Sequence, residues 1–308
     1  MVSGGNTDIS NTDILNDLIT FGDFVRWGTS RFREASLYFG HGTVNAQDEA
    51  YYLVTYALHL PHDIPPYMLA TRLTRAERET VRALLQKRVD TRLPAPYLTH
   101  EAWFAGLPFY VDERVLIPRS PIAELIESGF EPWIESSKVS RILDLCTGGG
   151  CIAIASALAF PFAKVDATDL SADALAVAEK NVQRHQVGDH LNLHQGDLFA
   201  GVDGQRYDVI VSNPPYVDAE DMAALPDEYH HEPELALASG QDGLDITRRI
   251  LQQAADFLNP QGVLIVEVGN SAAALVDVYP QLPFTWLEFE RGGTHVFLLT
   301  REQLEVSL

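Results

Sequence analysis

The chain has 308 residues, of which 46% are hydrophobic, and it carries a formal net charge of −21 at pH 7. This composition predicts a globular protein with room for two domains and excludes fibrous and disordered classes. A phosphate backbone is normally bound by clustered Lys and Arg, so the charge argues against nucleic acid as a direct partner and suits a basic protein.

Membrane and secretion signals are missing from the sequence, which predicts a cytoplasmic location. No stretch approaches the ~20 apolar residues that a membrane helix needs, and the polar segment Met1–Asn16 lacks the apolar core of a signal peptide. Cys146 and Cys151 stand too close together to cross-link a large chain, which fits a reducing compartment. Their spacing matches no usual zinc pattern, so we interpret them as small apolar residues beside a turn and predict no metal site.

The first part of the chain has the spacing of helices. Apolar residues recur at helix-face intervals from Ile14 to about Gln86. Thr74 is a suitable N-cap with Glu77 at the third helical position, which predicts a helix over Ala76–Val89. We therefore expect residues 1–92 to form a small helical domain.

Residues 93–137 differ in character and predict a β-hairpin with a linker. Apolar and aromatic residues surround Gly106 and Pro108, a pattern typical of two short strands joined by a turn. Trp103, Phe104 and Phe109 either line a cofactor pocket or fill the hairpin core, and we interpret at least two of them as core residues.

Residues 138–308 predict an α/β domain with a mostly parallel sheet, because short apolar runs alternate with helical segments. The candidate strands are Arg141–Leu145, Lys164–Thr168, Leu191–His194, Asp208–Ser212 and Val263–Val268. Two further runs, Thr285–Phe289 and His295–Thr300, are too close together for a helical crossover. They predict an antiparallel hairpin at the end of the sheet.

A glycine-rich turn follows the first of these strands and opens a predicted helix over Cys151–Ala159. The turn contains Asp144, Thr147, Gly148, Gly149 and Gly150. Glycines allow a backbone to approach a ligand closely, which favours a cofactor loop. A dinucleotide is the alternative ligand, but the Gly-x-Gly-x-x-Gly spacing is absent.

Acidic residues stand at the ends of three successive strands. Asp144 can receive an ammonium group, directly or through water. Asp169 can bond the hydroxyls of a ribose, and Asp197, followed by Leu198, can receive the exocyclic amine of adenine. Helix N-capping is the alternative role for any one of them. With no basic residue placed for a pyrophosphate, the set fits S-adenosylmethionine better than NAD.

The tetrapeptide Asn213-Pro214-Pro215-Tyr216 lies directly after a predicted buried strand, where ligands bind in open α/β sheets. The prolines fix the loop and leave carbonyls free, and Asn213 adds an acceptor oxygen and a two-donor nitrogen. These groups can hold a planar NH₂-bearing group while Tyr216 offers a ring face. The alternative is an ordinary turn that ends the strand.

These motifs resemble the class I S-adenosylmethionine-dependent methyltransferases, and within them the protein-glutamine methyltransferases. Adenine-N6 and cytosine-N4 DNA methyltransferases share the tetrapeptide Asn213–Tyr216, which we call the clamp. However, Pro96-Tyr97-Leu98 and Leu116-Ile117-Pro118-Arg119 resemble the glutamine enzymes. The resemblance implies a Rossmann-like sheet and a substrate-recognition role for residues 1–92. It also implies S-adenosyl-L-methionine as cofactor and S-adenosyl-L-homocysteine as product.

The segment Ile117–Leu125 resembles the branch that acts on large-subunit ribosomal protein three, since the release-factor branch usually has Pro-x-Thr-Glu after the arginine. Tyr38–Thr43 and Val217–Met222 extend this likeness across nearly the whole chain, and Gly149 departs from a frequent serine. The branch implies methylation of a glutamine N5 in a basic ribosomal protein. The net charge of −21 favours a free basic protein, met before ribosome assembly, over a phosphate-covered particle. A release-factor glutamine and, more remotely, an adenine-N6 in DNA are the alternative substrates.

We expect the side-chain oxygen of Asn213 and the carbonyl of Pro214 to accept the two amide hydrogens of the glutamine, with Tyr216 as a wall. Arg119 either covers the cofactor carboxylate or anchors the linker, and His230 and His231 are interpreted as structural or solvent-facing. Two other functions remain open at this point. One is an NAD-dependent oxidoreductase and the other is a noncatalytic cofactor-binding scaffold.

Overall fold

The computed structural model describes residues 15–307 and divides the chain between Thr99 and His100 into a helical unit and a second, larger unit. Residues 15–17 are helical, and the helices that follow them in the first unit are α1 (Phe21–Glu34), α2 (Ala46–Ala57), α3 (Arg75–Thr91) and α4 (Ala95–Thr99). A 3₁₀ turn over Pro66–Ala70 separates α2 from α3.

The predicted helix after Thr74 is confirmed as α3. The Thr74 hydroxyl accepts the Glu77 N–H at 3.4 Å, and the Glu77 carboxylate accepts the Thr74 N–H at 2.7 Å. This reciprocal capping box satisfies two amide groups that the first turn leaves unpaired. The helix starts one residue earlier and ends two residues later than predicted, at Arg75 and Thr91.

A buried ion pair lies inside the core of the helical unit. The Nε of Arg88 donates to Oε1 of Glu49 at 2.7 Å, and both side chains are 1% exposed. The hydroxyl of Thr43 donates to the other Glu49 oxygen at 3.1 Å, and Arg88 also donates to the Tyr38 carbonyl at 3.1 Å. The pair therefore fixes the segment Tyr38–Thr43 to α2 and α3.

The second unit opens with an antiparallel hairpin of β1 (Ala102–Phe104) and β2 (Leu107–Phe109). Phe104 and Phe109 are buried and their rings meet edge to face at 6.4 Å, whereas Trp103 is 49% exposed. The hairpin and the core position of two of its three aromatic residues are confirmed.

The larger sheet of the described chain has seven strands in the order β5-β4-β3-β6-β7-β9-β8. Its strands are β3 (Arg141–Leu145), β4 (Lys164–Asp169), β5 (Leu191–Gln195), β6 (Tyr207–Ser212), β7 (Leu258–Glu267), β8 (Thr285–Trp286) and β9 (Val296–Thr300). The first five pair in parallel, and β9 pairs antiparallel with β7 and β8. The mostly parallel α/β sheet with a C-terminal antiparallel hairpin is thus confirmed.

Successive residues of the central strands point to opposite faces of the sheet, and each face has its own core. Ile142 and Val209 belong to one hydrophobic cluster, and their neighbours Leu143 and Ile210 belong to the other. Both faces are apolar, as parallel sheets require. The helices of this unit are α5 (Ile122–Glu127), α6 (Cys151–Ala159), α7 (Ala172–His185), α8 (Ala219–Ala224), α9 (Asp245–Phe257), α10 (Ala272–Val278) and α11 (Arg301–Ser307).

Within residues 15–307, no helix combines the length and the apolar character that are needed to cross a membrane.

Replacing Glu49 by Ala should lower the free energy of unfolding by about 3 kcal/mol or more, because Arg88 would keep a buried charge without its counter-ion. Urea unfolding followed by circular dichroism measures the loss. Glu34→Ala is the matched control: Glu34 pairs with Arg31 at 2.7 Å on the surface. That change should cost less than about 1 kcal/mol, and equal costs for both variants would contradict the role given to the buried pair.

Candidate active site

The carboxyl ends of the parallel strands open onto a cleft of about 1120 Å³, open solvent at its mouth included. Most of the residues predicted from the sequence to bind cofactor or substrate line this cleft. They are Thr147, Gly148, Gly149, Asp169, Asp197, Leu198, Asn213 and Pro215. Gly150, Pro214 and Tyr216 are adjacent in sequence to lining residues, Asp144 lies two residues before Cys146, and none of the four is itself part of the lining.

The glycine turn has a backbone conformation that glycine adopts without strain and that a residue with a Cβ does not. Gly148 and Gly150 have φ of +54° and +82°, in the left-handed region. A Cβ on Gly150 would lie 3.2 Å from the Cβ of Ala178, closer than ordinary contact. The amide of Asn181 donates to the Gly149 carbonyl at 2.9 Å and so holds the turn against α7.

Asp144 is fully buried beneath the turn. One carboxylate oxygen accepts from the Thr147 hydroxyl at 2.5 Å and from the Ala153 N–H at 3.1 Å, in the first turn of α6. Among the described residues no donor reaches its Oδ1. Burial raises the pKa of Asp144 to about 7. The bond to Ala153 matches the helix-start alternative, and the bond to Thr147 connects Asp144 to the cleft.

Asp169 and Asp197 differ in their surroundings. Asp169 accepts the N–H groups of Gly148 and Ser171, each at 2.8 Å, and burial raises its pKa. Each of its oxygens keeps a lone pair for a ligand hydroxyl. Asp197 is exposed and pairs with Arg249 at 2.8 Å, so its carboxylate already has a partner.

Asn213 follows the last residue of β6 and presents an acceptor that the protein leaves unused. Its Oδ1 is buried, and among the described residues it has no hydrogen-bond partner. A buried acceptor without a donor costs about 1–3 kcal/mol, so the arrangement favours a ligand that supplies N–H. The turn alternative accounts for the end of β6 at Ser212 but not for this oxygen.

Tyr216 is held from three sides rather than lying in the cleft. Its hydroxyl donates to Oε1 of Glu267 at 3.0 Å, and its carbonyl accepts from the Ser271 hydroxyl at 2.8 Å. Its ring lies over Gly269, where an added Cβ would be 2.4 Å from the ring edge. Its role as a wall of the substrate site stays a prediction.

The two arginines of the cleft lining are both paired with carboxylates. Arg119 donates to both oxygens of Glu232, at 2.7 and 2.8 Å, and Arg114 donates to both oxygens of Asp112, at 2.8 and 2.6 Å. Glu232 also accepts the Ile117 N–H at 3.0 Å. The pairing favours the anchoring role for Arg119. Because both lining arginines already bind carboxylates, neither is available for a pyrophosphate.

The remaining candidates contribute little to the cleft. Cys146 and Cys151 are free thiols that line it, and burial raises their pKa values, which keeps them protonated. His231 lies 3.7 Å from Glu113. In the part of the chain that the structure describes, no cluster of His, Cys, Asp or Glu is arranged to hold a metal ion.

Three supporting residues were not predicted from the sequence: Asn181, Glu232 and Glu267. Each acts over a long sequence separation; Glu232 lies 113 residues from Arg119, and Glu267 lies 51 residues from Tyr216. Glu267 had one local signal, since it is an acid that directly follows the apolar run Val263–Val266. An acid at that point of a central strand indicates a polar partner rather than core packing.

The cleft therefore combines carboxylates for hydroxyl and amine donors, a close backbone turn and an unused amide oxygen. The family model described as the methyltransferase small domain matches residues 132–228. The ribosomal protein uL3 glutamine methyltransferases of Neisseria gonorrhoeae and Neisseria meningitidis serogroup B are 54% and 55% identical to this chain over 289 residues. These alignments cover 94% of this chain and 96% and 95% of the relatives. The chain belongs to the glutamine methyltransferase family.

Enzymes of this family take their methyl group from S-adenosylmethionine, so the chain is an S-adenosylmethionine-dependent glutamine methyltransferase. A more distant solved structure, the hMettl16 catalytic domain with an RNA hairpin, aligns with a TM-score of 0.49 and 17% identity. That alignment covers 73% of this chain and 80% of the other. The unused oxygen of Asp144, the Asp169 oxygens that each accept only one bond, and the open turn at Gly148 fit a cofactor with ammonium and hydroxyl donors.

Gly150→Ala should weaken the binding of S-adenosylhomocysteine and lower the melting temperature, because its φ of +82° costs a Cβ residue about 1–2 kcal/mol. Gly149→Ser is the matched control, since a Cβ there would lie 3.6 Å from Val115 at ordinary contact distance. Calorimetric titration and thermal unfolding of both variants measure the effects. Equal losses in the two variants would show that backbone conformation does not govern the turn.

The affinity for S-adenosylhomocysteine should increase about tenfold from pH 6 to pH 8 if Asp144 receives the ammonium group. The raised pKa of about 7 means that the free enzyme holds a proton on Asp144 below neutral pH, which ammonium binding must release. The same shift lowers the stability of the free enzyme as pH rises from about 4 to about 7.

Calorimetric titrations at several pH values measure this dependence. Asp144→Asn should remove it, whereas Asp203→Asn, which removes an exposed charge, should keep it. An unchanged pH dependence in Asp144→Asn would exclude this carboxylate as the group that receives the ammonium.

Proposed function

We propose that this enzyme methylates the side-chain amide nitrogen, N5, of a glutamine in ribosomal protein uL3, the large-subunit ribosomal protein three. The observation that carries the proposal is the buried Oδ1 of Asn213, which lines the cleft without a partner among the described residues. The two Neisseria relatives carry the name of uL3, and they align over nearly their whole length.

A glutamine amide is a poor nucleophile because its nitrogen lone pair is delocalised into the carbonyl. Rate enhancement must come chiefly from orientation, which can supply about 7 kcal/mol or more. S-adenosylmethionine supplies an electrophilic methyl group when it is bound. We assign the Asn213 oxygen and the Pro214 carbonyl to the two amide hydrogens, so that the nitrogen points toward that methyl.

The N–C bond forms as the C–S bond breaks, and the nitrogen becomes cationic and more acidic. Acceptors aimed at its hydrogens then bind the transition state more strongly than the ground state. The proton leaves to water, so the scheme requires no strong base. Pro214 and Pro215 have fixed φ values, which limits the motions by which the clamp could relax.

The rest of the cleft serves the cofactor in this proposal. Asp169 accepts the ribose hydroxyls, because each of its oxygens bonds only one backbone N–H. Asp144 receives the ammonium group through Thr147, which lines the cleft and whose hydroxyl donates to Asp144. Leu198 and the exposed Asp197 lie at the adenine end, where the salt bridge to Arg249 leaves the side chain of Asp197 the weaker candidate.

The proposed partner is a basic protein in the cytoplasm. A net charge of −21 attracts a free basic protein more readily than a phosphate-covered ribosomal particle, so we place the reaction before assembly. We assign substrate recognition to the helical unit.

Radiolabelled S-adenosylmethionine tests the substrate class when it is offered with purified uL3, a release factor or duplex DNA in separate reactions. We expect label in uL3, on a glutamine side chain identified by tandem mass spectrometry. Label in the release factor alone would move the enzyme to that branch, and label in DNA alone would overturn the proposal.

Asn213→Ala should lower kcat for uL3 methylation by about 100-fold or more at saturating cofactor, because the reacting amide loses an acceptor that strengthens in the transition state. Asn259→Ala is the matched control, since this amide donates to Asp208 at 2.7 Å near the opposite ends of the strands. The control should keep wild-type kcat. A wild-type rate in Asn213→Ala would refute the clamp.

A further inference from the structure

Glu267 is a buried carboxylate that the proposed chemistry does not use. It is the last residue of β7, beside β6, and it is 7% exposed. One of its oxygens accepts from the Ser120 hydroxyl at 2.6 Å, and the other accepts from the Tyr216 hydroxyl at 3.0 Å. Burying a carboxylate is costly, and core packing alone does not explain why one is kept here. Its two hydroxyl partners indicate a role in holding the segments that carry them.

The Tyr216 bond controls one end of the clamp. Between Asn213 and Tyr216 the chain contains only Pro214 and Pro215, whose φ angles are fixed. The other end is held at Ser212, whose hydroxyl donates to the Leu145 carbonyl at 2.8 Å. With both ends fixed and few free backbone torsions between them, the position of Tyr216 limits where Asn213 can lie.

The Ser120 bond connects the same carboxylate to a second wall of the cleft. Ser120 lines the cleft, its hydroxyl also accepts the Ile122 N–H at 3.2 Å, and it follows Arg119, which holds Glu232. Glu267 thus connects the clamp to the segment that carries Arg119. The Arg119 charge favours the ionised form of Glu267, although burial raises its pKa overall.

We propose that Glu267 is a positioning residue that orients Asn213 by holding the Tyr216 hydroxyl and aligning it with the Ser120 segment. The proposal rests on the proposed glutamine methylation. It gives Tyr216 a role as a fixed support of the clamp, because its ring and hydroxyl contact Gly269 and Glu267.

Four variants of the full chain test the proposal: Glu267→Ala, Glu267→Gln, Tyr216→Phe and the double variant of Glu267→Ala with Tyr216→Phe. Tyr207→Phe is the matched control, since its buried hydroxyl donates to a carboxylate, Asp166, at the same 3.0 Å at the start of β6. Steady-state kinetics with uL3, titration with S-adenosylhomocysteine and thermal unfolding provide the readouts.

Glu267→Ala and Tyr216→Phe should each lower kcat about tenfold or more, since small misplacements of reacting groups are costly. The KM for uL3 and the Kd for S-adenosylhomocysteine should change less than about twofold, because binding surfaces elsewhere are kept. The double variant should be no slower than Glu267→Ala, since both single changes remove the same contact between the Tyr216 hydroxyl and Glu267. Tyr207→Phe should lower the melting temperature about as much as Tyr216→Phe does, but it should keep the wild-type kcat.

Glu267→Gln separates positioning from proton transfer. Glutamine keeps an acceptor for the Tyr216 hydroxyl and can donate to the Ser120 hydroxyl, so kcat should recover to within about threefold of wild type. A rate as low as that of Glu267→Ala would overturn the positioning role, and so would wild-type kcat in Glu267→Ala or Tyr216→Phe, or multiplied losses in the double variant.

The wild-type protein separates this inference from the proposed function. If it transfers no methyl group to any glutamine, the proposed function fails and the inference falls with it. If wild type is active and Asn213→Ala is inactive while Glu267→Ala is unaffected, only the inference fails.

Discussion

Parallel pairing of β3 with β4 and β6 is the constraint on which the site depends. The register places Leu145 opposite both Thr168 and Ser212. The next residues along the chain, Cys146, Asp169 and Asn213, therefore lie together at the same edge of the sheet. A shift of one residue in either pairing would turn every side chain of that strand to the other face and dismantle the cleft. The apolar cores on both faces maintain this register, so the site is precise because the sheet beneath it cannot slip.

Buried carboxylates connect this rigid sheet to its loops. Asp144 bonds the glycine turn to the start of α6, Glu232 bonds the Arg119 segment, and Glu267 bonds the clamp. Each costs desolvation, and each offsets that cost by accepting bonds from loop donors rather than by packing in the core. Directional bonds of this kind specify one geometry, whereas apolar contacts tolerate small displacements. Asn213 differs because its oxygen receives no bond from the described chain, as a site for a ligand donor requires.

The sheet was predictable because local periodicity encodes it. Arg141–Leu145 and the helix Cys151–Ala159 have the predicted bounds, and the remaining strands differ from prediction at one or both ends. The positions of the glycine turn and of Asn213, directly after strands, also indicated a binding role, because ligands of open α/β sheets bind at strand ends. The sequence pattern alone therefore assigns the site to this edge of the sheet.

The contacts that hold the site could not be predicted from sequence patterns. Glu267 meets Tyr216 across 51 residues, and Glu232 meets Arg119 across 113. No local pattern specifies such partners, since they depend on how loops return to the sheet. For the same reason the contact of the Tyr216 ring with Gly269 could not be predicted, and the role of Tyr216 as a wall of the substrate site stays a prediction. The sequence does not predict that Asp144 is fully buried either, because burial of an acid at a strand end depends on how the following helix packs.

The central claim is that the unused oxygen of Asn213 receives a hydrogen of the reacting glutamine amide. A crystal structure of the enzyme with S-adenosylhomocysteine and a glutamine-containing segment of uL3 tests it most directly. We predict the amide nitrogen within about 3 Å of Asn213 Oδ1, facing the cofactor sulfur. A bound glutamine whose amide is held by other groups, with Asn213 Oδ1 still lacking a donor, would contradict the account.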